Sequence, residues 1–175
     1  LTTTAYIGLG SNIGDGKITL QAAWQNLGER EGIVLEALSR PYMSAPVDMT
    51  SQHWFTNAVG KLQTTLSPQE LLQELLLVEK AFGRKRDERS FGYQDRSLDL
   101  DLLYYGDVTM DQPELVLPHP RIGDRLFVLV PLAELAGDFR DPVSGLTVAA
   151  MEINLRERLR QSNGKQELIP GVWRD

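Results

Sequence analysis

Two periodicities divide the chain. Residues 4–10 (TAYIGLG) read as a short strand ending in glycines. Residues 17–27 (KITLQAAWQNL) read as a helix, with Leu20, Ala23, Trp24 and Leu27 on one side and Ile18, Ala22 and Gln25 on another. Residues 33–40 and 55–66 predict two more strands. In the second, Phe55, Asn57, Val59 and Lys61 alternate with Thr56, Ala58, Gly60 and Leu62. The stretch between them, RPYMSAPVDMTSQHW, reads as a polar loop. Ser67-Pro68-Gln69-Glu70 is a capping box with proline at the first helical position. Leu71, Leu75, Val78, Glu79 and Phe82 follow at helical spacing, and Gly83 closes the helix. A polar loop over 84–97 leads to a last strand at 98–105. The order β-α-β-β-α-β predicts an α+β fold of ferredoxin-like type, an antiparallel sheet with its two helices on one face. Extra C-terminal elements follow: an LPHPRIG turn, an apolar helix near 126–136 and a charged amphipathic helix near 147–161. The expected organisation is one domain over 1–161 and a C-terminal tail, 162–175, with Trp173 docked on the body.

The last strand of that unit, within RSLDLDLL, changes the picture from fold to chemistry. Side chains alternate along a strand, so Leu98, Leu100 and Leu102 share one face while Asp99 and Asp101 share the other. The leucines mark a core. Two like charges on the opposite face need a positive partner, because an uncompensated half-buried carboxylate pair is costly. The loop just before them supplies cations: residues 80–96 hold Lys80, Arg84, Lys85, Arg86, Arg89 and Arg96 against Asp87, Glu88 and Asp95. Guanidinium groups match phosphate oxygens by bidentate geometry. Carboxylates with a divalent cation, a polyphosphate and covering arginines are the equipment of phosphoryl transfer. Taken alone, the same pattern also suits a salt-bridged surface.

Composition narrows the alternatives. The 175 residues include no cysteine, which excludes disulfides and thiolate zinc sites, and only two histidines, His53 and His119. A metal would be held mostly by carboxylates, pointing to Mg²⁺, Mn²⁺ or Ca²⁺. The net charge of −6 argues against a nucleic-acid partner. The longest apolar run, residues 126–133, is far short of the roughly 20 residues of a membrane span, so no membrane partner is expected. No basic segment leads an apolar one at the start of the sequence, and a cytoplasmic location is expected. GLGSNIG lacks the dinucleotide-binding spacing, since Ile13 stands where the third glycine belongs. Phosphate-loop, protein-kinase and serine-hydrolase signatures do not occur.

Four segments in order along residues 5–136 carry a resemblance: YIGLGSNIGD, FTNAV, RSLDLDLLYYG and LPHPRIGDRLFVLVPL. Together they closely resemble the 6-hydroxymethyl-7,8-dihydropterin pyrophosphokinase family of the folate pathway. The resemblance implies transfer of the β,γ-pyrophosphoryl unit of ATP to the pterin's hydroxymethyl oxygen, releasing AMP, with two Mg²⁺ ions held by Asp99 and Asp101. It implies that Arg96 contacts the phosphates and that Arg84 assists transfer or release. His119 and Arg125 match family residues at the nucleotide phosphates, and Glu79 a glutamate near the nucleoside. Asn57 matches the asparagine that hydrogen-bonds the pterin, and Phe55 and Phe127 the aromatics that sandwich it. Ser44 and Val47 lie where backbone groups meet the pterin edge. Phe91 is the candidate for the place of a family tryptophan, in the altered stretch FGYQDR. A monomer that passes its product to dihydropteroate synthase is expected.

Two rivals make different predictions. A ferredoxin-like RNA-binding sheet needs exposed aromatics in an RNP-type strand, and none is present. A nucleotidyltransferase would also use Asp-x-Asp but would release pyrophosphate instead of AMP.

Overall fold

The computed structural model describes residues 1–46, 53–83 and 97–174. Its centre is β1 (Thr3–Ser11), whose neighbours are β4 (Phe55–Thr64) and β5 (Asp99–Tyr105), both antiparallel to it. Two shorter strands, β2 (Ile33–Leu38) and β3 (Tyr42–Ser44), follow one another along the far edge of β4. Ser39 spans the break between them: its N–H donates to the Val59 carbonyl at 2.9 Å, and its Oγ accepts the Val59 N–H at 3.0 Å. The order β5-β1-β4-β2 is the ferredoxin-like sheet that the alternation predicts.

Helices α1 (Gly16–Gly28) and α2 (Pro68–Ala81) cover one face. Both start at a side-chain cap, of which the one at Ser67 is the one the sequence predicts. The Asp15 carboxylate accepts the Ile18 N–H at 3.2 Å, and the Ser67 hydroxyl accepts the Glu70 N–H at 3.1 Å. Their buried stripes, Leu20, Ala23, Trp24 and Leu27 with Leu71, Leu75 and Val78, pack on Ala5, Ile7, Leu9, Ala58, Leu62, Leu98, Leu100 and Leu102. Gly60 is required here, because a Cβ at that position would lie 2.4 Å from the Trp24 ring.

The second face takes the extra C-terminal helices. Here α3 (Leu126–Ala136) and α4 (Val148–Gln161) form a second core with Tyr6, Val59, Leu103 and Tyr104, making three layers. A register shift between Tyr6 and Ile7, opposite Leu103, turns both Leu103 and Tyr104 into that second core. The Tyr104 hydroxyl donates to Asp141 at 2.5 Å, and burial together with that carboxylate pushes the phenol's pKa up. Because α3 is apolar almost all round, its sequence predicts burial but not which face of the sheet it covers.

Four strands of three residues each carry no readable period. The segment expected as a polar loop contains β3. A hairpin, β6 (Met110–Gln112) and β7 (Leu115–Leu117), sends Leu115 and Leu117 into the first core. Residues 162–174, expected as a tail, contribute β8 (Leu168–Pro170), which pairs with β3 to extend the sheet. Trp173 docks as expected: its indole N–H donates to the Ser39 carbonyl at 2.8 Å, and its ring packs on the first core. No helix among the described residues is long and apolar enough to cross a membrane.

Candidate active site

The second face is only partly covered by α3 and α4, and the uncovered part is a cleft. Its floor follows from strand register. Gly10 lies between Asp99 on β5 and Asn57 on β4, and Gly8 lies between Asp101 and Val59. With two strand spacings of roughly 4.8 Å each, the backbones of Asp99 and Asn57 run roughly 9–10 Å apart, with only the strip at Gly10 between them. A Cβ at Gly10 would come within 3.3 Å of Asn57 Oδ1, so the glycine keeps that strip open. The i, i+2 spacing of Gly8 and Gly10 on one strand is the sequence signal for this floor. The sequence reading instead took the two glycines as strand ends.

The walls come from β3, β4 and the start of α3. Ser44, Ala45 and Phe55 line one side; Arg125, Phe127 and Val128 line the other. The cleft encloses about 630 Å³ of empty space, part of it open to solvent. Asn57 and Ser44 are both buried, and Asn57 Nδ2 donates to Ser44 Oγ at 2.6 Å. That bond fixes the amide plane and leaves Oδ1 beside the glycine floor. The Arg125 guanidinium carbon lies 5.5 Å from the centre of the Phe127 ring, a cation–π contact at the cleft's edge. Ala45 and Val128 are lining residues that sequence reasoning missed; as small or aliphatic positions they carry no chemical signal.

His119 approaches from the turn after β7. Its backbone N–H donates to the Leu103 carbonyl at 3.0 Å, which places the ring beside the aspartates, with Nε2 4.0 Å from Asp101 Oδ1. Nδ1 accepts the Arg121 N–H at 3.1 Å, so the neutral ring carries its proton on Nε2, toward Asp101. Desolvation holds the imidazole below its ordinary pKa; the Asp99 charge opposes that and Arg121 adds to it.

Glu79, which the resemblance puts near the nucleoside, reaches β5 from α2. Its side chain is buried on the inner face of α2, and Oε2 accepts the N–H of Leu100 at 2.8 Å. The carboxylate thus holds the backbone between the two aspartates from behind. Val47, Arg84, Phe91 and Arg96 lie outside the described residues. The fold therefore brings together Ser44, Phe55, Asn57, Asp99, Asp101, Arg125 and Phe127 around one cleft, sets His119 at its margin and places Glu79 behind it.

The donor set suits a hard cation held jointly with a ligand. Among the described residues no group of three or more His, Cys, Asp or Glu converges, so these residues offer no closed cage. Mg²⁺ commonly takes one or two carboxylates and completes its shell with water and substrate phosphates. Two same-face carboxylates at the edge of an open cleft fit that mode.

An antiparallel sheet with a carboxylate pair and an aromatic-walled cleft that carries Arg125 defines a small-molecule transferase of the phosphate-handling kind. The comparisons make the class specific. The profile of the 7,8-dihydro-6-hydroxymethylpterin-pyrophosphokinase (HPPK) family matches residues 6–137. A 2-amino-4-hydroxy-6-hydroxymethyldihydropteridine pyrophosphokinase of Synechocystis is 45% identical over 144 residues, covering 82% of this chain and 72% of the relative. One from Methylorubrum extorquens is 43% identical over 136 residues, covering 78% of this chain and 84% of that protein. The crystal structure of Plasmodium falciparum HPPK-DHPS with pteroate superposes with a TM-score of 0.74 at 12% identity, covering 93% of this chain. That likeness shows the fold alone, and this chain spans 44% of the solved chain's length. The chain belongs to the 7,8-dihydro-6-hydroxymethylpterin-pyrophosphokinase family.

Proposed function

We propose that this protein transfers the pyrophosphoryl group of ATP to 6-hydroxymethyl-7,8-dihydropterin, giving AMP and the pterin diphosphate, with the cleft on the second sheet face as its active site. The observation that carries the site is the placement of Asp99 and Asp101 across the Gly8–Gly10 strip from Asn57, between walls bearing Phe55 and Phe127. A flat heterocycle fits aromatic walls and a few fixed polar groups. Asn57 Oδ1 accepts a pterin N–H, while the Ser44 bond keeps the amide from turning. The backbone near Ser44 and Val47 meets the ring's edge. Seated in this way, the pterin points its hydroxymethyl arm at the aspartates.

Asp99 and Asp101 would hold two Mg²⁺ ions, which when bound neutralise triphosphate charge and keep it in line with the attacking hydroxyl. Arg125, Arg96 and Arg84 bind phosphate oxygens and steady the transferring group, His119 offers Nε2–H at the same margin, and Phe91 covers the nucleotide. Glu79 serves from behind by holding Leu100. The catalytic unit is the domain over 1–161. It works as a monomer in the cytoplasm. It passes its product to a dihydropteroate synthase, and for that step the support is the solved chains titled HPPK-DHPS.

The test is product identity. The protein is mixed with ATP, Mg²⁺ and the dihydropterin, with parallel runs lacking pterin or Mg²⁺. AMP that depends on both additions is expected. ADP would mean transfer of a single phosphoryl group, and pyrophosphate would mean nucleotidyl transfer; either sinks the reading.

A further inference from the structure

The chain beyond residue 137 lies outside the family match, yet it reaches both walls of the cleft. Past α4, Gln166 turns its amide onto the backbone on either side of Arg125. Oε1 accepts the Leu126 N–H at 2.9 Å, and Nε2 donates to the Asp124 carbonyl at 2.8 Å. An amide that accepts and donates around one residue takes the place of a neighbouring strand. Arg125 has the extended conformation this requires, φ −130° and ψ 112°, where it joins a 3₁₀ turn (Ile122–Asp124) to α3. No side chain of the Arg125 position caps α3, so Gln166 satisfies a first-turn donor that the helix leaves over. One residue further on, the Glu167 carbonyl accepts the Ala45 N–H at 3.3 Å, and Leu168 pairs with Ser44.

Within three residues, then, the strap grips the Arg125–Phe127 wall and the Ser44–Ala45 wall. We propose that Gln166 is a positioning residue for the transfer reaction: residues 166–168 brace the two walls and aim Arg125 and Phe127 at the bound substrates. Gln166 acts through the backbone of Arg125 and touches no substrate. The 3₁₀ turn has its own anchor, since Arg158 Nη2 donates to the Gly123 carbonyl at 2.6 Å. Loss of Gln166 therefore releases the aim of Arg125 while the turn stays folded. The proposal rests on the cleft being the pterin and ATP site.

The experiment compares wild type with Gln166→Ala and Gln166→Glu in the AMP assay, and follows exchange of the Leu126 amide proton. Gln166→Glu keeps the acceptor for Leu126 and loses only the donation to Asp124, so it carries the test should Gln166→Ala fail to fold. Ser67→Ala removes the cap of α2 on the opposite face and controls for general destabilisation. Expected are KM values for pterin and ATP raised about five-fold or more in Gln166→Ala, with kcat within two-fold, faster Leu126 exchange, and a smaller rise in Gln166→Glu. Ser67→Ala should lower Tm without moving either KM. Unchanged KM values in a folded Gln166 variant overturn the proposal, whatever the exchange rate. Absence of pterin-dependent AMP from wild type would instead remove the site reading beneath it.

Discussion

The two faces of β5 are made by the same seven residues and do opposite work. Toward α1 and α2, Leu100 and Leu102 join Leu98 in an apolar layer closed on every side. Toward α3, Asp99 and Asp101 stand half-exposed at an open cleft, with glycines for neighbours. The first face spends its surface on burial, worth roughly 1.5–3 kcal/mol for each leucine removed from water. The second gives up that burial to keep a floor clear and two charges accessible. The comparison teaches that stability and chemistry here separate by side-chain parity along one strand, so adjacent substitutions should have unlike consequences.

The sharpest break is at the carboxylates. Asp99→Asn or Asp101→Asn should lower kcat for AMP formation by about a thousandfold, measured by product chromatography, with Tm moved by only a few degrees. One residue away, Leu100→Ala should cost about 2–5 kcal/mol of stability in urea unfolding, while the folded fraction keeps its KM values. If both variants lose stability alike, the division by face is wrong.

Glycines sharpen the same contrast. Gly60→Ala pushes a methyl to within 2.4 Å of the Trp24 ring in the closed layer, and should destabilise by about 1–3 kcal/mol without touching KM. Gly10→Ala makes its one tight contact with Asn57 Oδ1, at 3.3 Å on the open side, and meets Phe55 Cδ1 at an ordinary 3.8 Å. It should raise the pterin KM about five-fold through displacement of that amide, with little change in Tm.

The smallest effect concerns Tyr42, which ties β3 to α3 on the cleft face by donating to Glu134 Oε1 at 2.8 Å. Burial, then the Glu134 bond, pushes this phenol to about 12 from its ordinary 10. The unfolded chain therefore releases this proton first. The stability it contributes is complete below pH 10 and is lost as pH rises from 10 toward 12. Denaturant midpoints across that window should fall less steeply in Tyr42→Phe than in wild type.

The order of the main elements was legible because each long element declares its period: alternation in 55–66 and 98–105, and a capping box at Ser67. Three-residue strands declare nothing, since β3 and β8 are fixed by pairing with distant backbone and not by their own side chains. The aspartate pair was legible from spacing alone, whereas Asn57, Phe55 and Phe127 read as ordinary structural residues until a family pattern joins them. Glu79 adds a contact that the pattern does not state. A glutamate at the right place in the order tells nothing of which way it faces, and here burial turned it toward Leu100.

That Glu79 contact has one more effect. β5 borders the main sheet on one side, and β8 borders it on the other alongside β2; β5 and β8 would otherwise each offer backbone groups to a foreign strand. On β5 the Leu100 N–H is already taken by a buried carboxylate. On β8 the strand is three residues long and ends in Pro170, which has no N–H to give. Two of the sheet's edge strands, β5 and β8, are thereby blunted against β-strand addition.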